Sequence, residues 1–223
     1  MENIEENKKI ILTKIQQAHK NSNFSLLPYP KLIAISKKQE EYKIELAIKS
    51  GQKIYGENRV QEAQQRWQKR MELYNDIELR LIGPLQTNKV KQALNLFHII
   101  ETIDREKLAR EIFNNLNNQS KTKNFYIQIN TGSESQKSGL IPSEADAFIE
   151  YCIKDLTLPI IGLMCIPPQD EEPSMHFAFL KKIADRNNLK ELSMGMSNDF
   201  EEAIKFGASS VRIGSLFFGL RKF

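Results

Sequence analysis

A chain of 223 residues has the length of one large domain or two small ones, and enough material to bury a sizeable single core. Charged residues make up 27%, yet the formal net charge is only +4, and acidic and basic residues interleave as in Glu40 to Glu45 and Asp104 to Lys107, so no basic stripe for nucleic acid stands out. No apolar run approaches a membrane span, and the start, MENIEENKKI, lacks the pattern of a secretion signal; a cytoplasmic protein without a nucleic-acid or membrane partner is expected.

The chain opens on an amphipathic stretch with Ile4, Ile11, Ile15 and Ala18 on one side, a helix. Eight short β-type runs follow in order: KLIAIS, QKIYGE, ELRLIG, HIIETI, NFYIQIN, LPIIGLMCI, ELSMG and SVRIG. Helical patterns lie between them, such as Val60, Ala63, Trp67, Met71 and Tyr74, whose spacings of three and four place them on one face. Cys152 and Cys165 fall inside apolar runs without the spacing of a metal knuckle or redox pair, so they read as buried free thiols. His19, His98 and His176 are scattered and form no metal pattern.

Strands alternating with helices predict an α/β fold with a parallel sheet, and eight of them predict a single (β/α)8 TIM-type barrel. No linker divides the chain, so one domain over residues 1–223 is expected. Only Ser215 to Phe223 follow the last β-run, too few for a full covering helix, and the N-terminal helix is expected to cover the gap between the last strand and the first. The alternative is an open doubly wound sheet, which usually carries a Gly-rich turn after its first strand; this chain has Ser36, Lys37 and Lys38 there.

In a barrel, function sits at the rim where the strands end. Lys37 follows the first β-run, Glu57 and Asn58 end the second, Gly83 and Pro84 the third, and Asn130 the fifth. The turns after the last two runs hold Gly195 to Ser197 and Arg212 to Ser215. Such turns commonly build a phosphate site with the start of a short extra helix, for which LFFG is the candidate. Ser197 would offer its hydroxyl, and Gly214 and Ser215 their backbone N–H groups. Against this, Asp199, Glu201 and Glu202 crowd the neighbouring helix start, and the segment taken alone reads more simply as a capped helix that binds nothing, with Asn198 and Glu201 as capping box and Gly207 as stop. At the barrel mouth, desolvation and neighbouring cations would lower the Lys37 amine from its ordinary pKa of about 10.4 towards neutrality. An unprotonated amine condenses with an aldehyde, so lysine and phosphate site together suggest a phosphorylated aldehyde or ketone.

Several spaced motifs occur in one order: LIAISK ending on Lys37, YGENRVQE at Tyr55 to Glu62, LIGPLQTNK at Leu81 to Lys89, IQINTGSESQKSGL at Ile127 to Leu140, GLMCIP at Gly162 to Pro167, then SMGMSNDFEEAI and VRIGS. Through them the chain resembles, from Lys31 to Gly219, the pyridoxal phosphate homeostasis family, single-domain relatives of the barrel domain of alanine racemases. The resemblance implies pyridoxal 5'-phosphate held as an internal aldimine on Lys37. It further implies phosphate contacts at Ser197, Gly214 and Ser215, Arg212 against the pyridine nitrogen, and Asn58 beside the ring. The chain departs from the family at Lys38, Gln39 and Glu40, where threonine, lysine and proline are usual, at Arg80, where histidine is frequent, and at Arg59, where tyrosine is. Lys137 reads either as a second amine near the cofactor or as a solvated loop lysine.

A permanently charged arginine disfavours protonation of the pyridine and weakens it as an electron sink. Racemases take their second acid or base from an additional domain, for which nothing follows Phe223 in this chain. The expected function is a protein that carries or buffers the cofactor in vitamin B6 homeostasis, with little turnover of its own, no assigned catalytic residue, and PLP-dependent apoenzymes as recipients. The alternative is an enzyme, either a slow PLP-dependent amino-acid racemase using Lys37 as base or a Schiff-base aldolase whose substrate brings the phosphate.

Overall fold

Alternate residues of a strand take opposite sides of a sheet, and in this chain the alternation sorts bulky apolar side chains to one side and a mixed set to the other. The computed structural model describes residues 3–134 and 136–219; the ends of the expected domain span 1–223, and Ser135 within the IQINTGSESQKSGL motif, lie outside the described residues. In chain order the elements are α1 (Ile4–Lys20), β1 (Lys31–Ile35), α2 (Glu41–Lys49), β2 (Ile54–Glu57), α3 (Val60–Leu73), β3 (Glu78–Leu81), α4 (Val90–Leu96), β4 (Ile99–Ile103) and α5 (Glu106–Asn115). They continue with β5 (Asn124–Ile129), α6 (Ala145–Glu150), β6 (Ile160–Cys165), α7 (Pro173–Arg186), β7 (Glu191–Ser193), α8 (Phe200–Lys205), β8 (Ser210–Ile213) and α9 (Ser215–Phe218). All eight expected strands are present and close into a parallel barrel in sequence order. Closure is made by β1 against β8, in register from Lys31 opposite Ser210 to Ala34 opposite Ile213.

The main core lies between sheet and helices. Leu32, Ala34, Tyr55, Leu79, Leu81, Val211 and Ile213 face it from the strands. From α3, Val60, Ala63 and Trp67 are buried in it, with Met71 and Tyr74 packed at its edge, as their spacing predicts. The Trp67 ring meets that of Tyr55 with centroids 4.5 Å apart. A second, small apolar cluster of Ile99, Tyr126 and Met164 lies apart from that core. Gly56 belongs to the barrel interior: a Cβ there would sit 2.7 Å from Ile35 Cδ1 and 3.1 Å from Ile33 Cγ2, so a larger residue would have to push the end of the Ile35 side chain aside.

The N-terminal helix packs across the closing strands, as expected. Ile4, Ile11, Ile15 and Ala18 are buried. Asn7 donates to the Phe217 carbonyl of α9 at 3.1 Å, Lys8 to the Ser50 carbonyl after α2 at 2.7 Å, and Lys14 pairs with Glu201 of α8 at 2.9 Å. The helix therefore spans the seam between the last and first strands.

The capping box at the start of α8 is not formed. The N-cap is Asp199 rather than Asn198, and its carboxylate turns back to accept the Met196 N–H at 2.5 Å. Gly207, at φ +89 just beyond the helix, ends it as expected.

Candidate functional site

Beyond β1 the chain makes a hydrogen-bonded turn, Gln39 N–H to Ser36 carbonyl at 3.2 Å, with Lys37 and Lys38 as its central residues. Lys38 is at φ +57, a left-handed conformation unusual for a lysine, and is exposed. Such a turn is held only if its surroundings fix it, and they do. The Ser36 N–H reaches the Gly56 carbonyl at 3.1 Å, and the Ser36 hydroxyl donates to the buried Glu57 carboxylate at 2.7 Å. Arg66 donates to the Ser36 and Gln39 carbonyls at 2.9 and 3.1 Å and to Glu57 at 2.9 Å, and Trp67 adds its indole N–H to Glu57 at 3.0 Å. Lys37 is half-buried on a cavity; Lys38 is not part of its lining.

That cavity, about 990 Å³, opens at the C-terminal ends of the strands. Five of the six residues singled out from the sequence line it: Lys37, Ser197, Arg212, Gly214 and Ser215. Asn58, the sixth, is not among the lining residues. It is half-buried, and its Oδ1 is buried without a hydrogen-bond partner among the described residues. Its backbone touches the next turn so closely that a Cβ on Gly83 would lie 2.3 Å from the Asn58 carbonyl oxygen. Of the acidic residues weighed against a phosphate, Glu201 and Glu202 are paired with Lys14 and Lys205 at 2.9 and 2.7 Å. Asp199 alone of the three lines the cavity.

Arg212 forms part of the cavity wall with only 3% of its surface exposed. It stands within β8 rather than in the turn after it, and its backbone N–H is fixed on the Gly195 carbonyl at 2.9 Å, tying β8 to the turn after β7. Two of the five guanidinium N–H groups are taken, by Ser193 Oγ and by the Cys165 carbonyl, both at 2.7 Å. Both acceptors are neutral, and among the described residues no carboxylate bonds the guanidinium directly.

The part of the wall that follows β6 was not singled out from the sequence as a site. Ile166, Pro167, Pro168, Gln169, Glu171 and Pro173 line it, and its signal was the paired prolines just after GLMCI. Behind the wall, Lys137 pairs with Glu134 at 2.5 Å and stands 3.4 Å from the Pro167 carbonyl, outside the lining set. Behind Arg212, the buried polar residues Ser193 and Glu101 were also missed, and Arg80 was noted only as a departure from the family; a polar residue at an alternating position inside an otherwise apolar β-run was the available sign. Cys152 and Cys165 are free, and burial pushes both thiols up to about 12. Among the described residues no helix is long and apolar enough to cross a membrane, and no group of three or more His, Cys, Asp or Glu converges as metal ligands.

Residues 25–222 match the family described as "Alanine racemase, N-terminal domain". The chain is 38% identical to the pyridoxal phosphate homeostasis protein of Aquifex aeolicus over 86% of its own length and 88% of the relative's. PipY of Synechococcus elongatus, solved both without and with PLP bound, is 28% identical, with TM-scores of 0.84 and 0.82 over 97% of this chain and 100% of that one. An alanine racemase of Clostridium difficile shares the fold at TM-score 0.71 and 14% identity, with 99% of this chain covering 57% of the enzyme.

Proposed function

From a chain that belongs to the alanine racemase N-terminal domain family, and within it to the pyridoxal phosphate homeostasis proteins, we propose a protein that binds pyridoxal 5'-phosphate at the C-terminal rim, carries it on Lys37 as a Schiff base, and buffers or delivers it in the cytoplasm. What carries this reading is the convergence on one cavity of an amine, Lys37, an arginine, Arg212, and the small-residue turn elements Ser197, Gly214 and Ser215, from opposite ends of the sequence. The cofactor supplies an aldehyde that condenses reversibly with amines and a phosphate that anchors it.

The residues present fit that group. Arg212, in the cavity wall, has three N–H groups beyond those bonded to Ser193 and Cys165, and Asn58, proposed beside the ring though outside the cavity lining, has a buried Oδ1 without a hydrogen-bond partner among the described residues. Ser197 and Ser215 would hold the phosphate with their hydroxyls, joined by the N–H groups at Gly214 and Ser215, and the Lys37 turn would present the amine. Arg212 would face the pyridine nitrogen. A guanidinium stays charged at any physiological pH and disfavours a proton on a nitrogen beside it.

Little turnover is expected from such a site. Among the described residues lining the cavity there is no tyrosine, histidine or cysteine to act as a second acid or base, and the two carboxylates are engaged, Asp199 by the Met196 N–H and Glu171 by His176 at 3.1 Å. PLP-dependent apoenzymes are the proposed recipients. The test is equilibrium dialysis of the purified protein against pyridoxal phosphate, read by absorbance. One equivalent should be retained with a yellow imine band, and Lys37→Ala should abolish the band. Amino-acid turnover that is substantial in the unsubstituted protein and lost in Lys37→Ala would replace the carrier by an enzyme.

A further inference from the structure

Below the cavity, a chain of buried polar groups runs inward from Arg212. Arg212 Nη1 donates to Ser193 Oγ at 2.7 Å, and Ser193 Oγ donates to Glu101 Oε2 at 2.6 Å. Arg80 Nη1 donates to the other oxygen, Oε1, at 2.9 Å, while Arg80 Nε donates to Glu78 at 2.6 Å. Ser193 and Glu101 are fully buried, and the Arg80 side chain is 1% exposed. Burial works against the charge of Arg80, but Glu101 and Glu78 outweigh it and raise its pKa.

The direction of the bonds is fixed by valence. A serine hydroxyl has one proton and two lone pairs. Its proton is committed to Glu101, so towards Arg212 it can only accept. Glu101 in turn is paired with Arg80, which it shares with Glu78, and meets Arg212 only through a neutral hydroxyl. Contact with a bare carboxylate would cancel much of the field of Arg212 at the cavity; the interposed serine and the pairing of Glu101 with Arg80 reduce that cancellation. The same bonds, with the Cys165 carbonyl, hold the guanidinium plane in one orientation.

We infer that Ser193 and Glu101, with Arg80 behind them, are positioning residues for Arg212, which they hold with its remaining N–H groups towards the ring of the bound cofactor and its positive charge unshared. The inference rests on the reading of this cavity as a pyridoxal phosphate site. It is tested with protein loaded with pyridoxal phosphate isotopically labelled at the ring nitrogen, comparing the nitrogen resonance, the visible absorbance maximum and the melting temperature. In the unsubstituted protein and in Ser193→Thr, which keeps the hydroxyl, the nitrogen should give the unprotonated signal. Ser193→Ala should move it towards the protonated signal and weaken cofactor binding about tenfold, as expected when a bond to a charged group is lost. Glu101→Gln leaves a single amide oxygen for the two donors Ser193 and Arg80, so the hold on Arg212 loosens and the signal should move in the same direction. Loaded Ser193→Ala and Glu101→Gln proteins with an unaltered nitrogen signal would overturn the assignment alone. Failure of the unsubstituted protein to take up the cofactor would overturn the functional reading, and the assignment with it.

Discussion

Arg66 of α3 donates to the carboxylate of Glu57, at the end of β2, over 2.9 Å, and the same guanidinium grips both ends of the turn that carries Lys37. The Glu57 side chain is fully buried and that of Arg66 only 13% exposed. Removing one member of such a pair leaves an uncompensated buried charge, typically at a cost of about 3 to 5 kcal/mol. Arg66→Met should therefore lower the melting temperature. It should also free the left-handed Lys38 turn to relax, and so slow pyridoxal phosphate uptake in stopped-flow absorbance. Arg66→Lys keeps a charge for Glu57 but cannot reach two carbonyls at once, so its uptake should fall in between. Uptake at the normal rate in a folded Arg66→Met protein would mean that Lys37 needs no brace.

Borohydride should fix pyridoxal phosphate irreversibly to Lys37, since reduction of an imine locks it on the amine that formed it. Lys38, next in the chain, serves as an internal control because it is exposed and lies outside the cavity lining. Peptide mass mapping is the measurement. An adduct found only on Lys38, Lys89 or Lys137 would refute the assignment of the amine.

The two serines at the turns after β7 and β8 offer a test of where the phosphate sits. Replacing Ser197 and Ser215 together by alanine removes two hydroxyl donors to an anion, roughly 1.5 to 3 kcal/mol each for a charged partner. Isothermal titration should show a large loss for pyridoxal phosphate and little for pyridoxal, which has no phosphate to hold. Equal losses for both ligands would move the phosphate elsewhere.

How far these sites could be read in advance depends on the range of the interactions that make them. The strands were legible because KLIAIS, SVRIG and the runs between them carry their burial pattern locally, and the closing register follows from them. Lys37 and Ser197 were legible because a residue just beyond a barrel strand has one place to go; Arg212 proved to stand within β8, with its side chain in the cavity wall. The brace under Lys37 was not, since Arg66 reaches it only by folding α3 back over β2, and a surface arginine looks the same in sequence. Ser193 and Glu101 are separated by 92 residues and become partners only when the barrel closes. At α8 the local pattern misled: a serviceable capping box was present in the sequence, but the Asp199 side chain engaged Met196 instead.

Arg212→Glu tests the electronic basis for a carrier. The substitution puts a carboxylate beside the pyridine nitrogen in place of a permanent cation, which favours the protonated ring and the electron-sink form. It also sets that carboxylate against Ser193, whose proton already belongs to Glu101, and against the Cys165 carbonyl, so the new side chain must lean towards the cavity to find a donor. The visible band of the bound cofactor should shift, and slow transamination with added amino acids should become measurable. Affinity has to be measured alongside rate, because the loss of a positive charge weakens the hold on an anionic ligand. A variant that keeps its cofactor with unchanged spectrum and unchanged reactivity would show that Arg212 does not face the ring nitrogen, and the low turnover expected of this site would then need another cause.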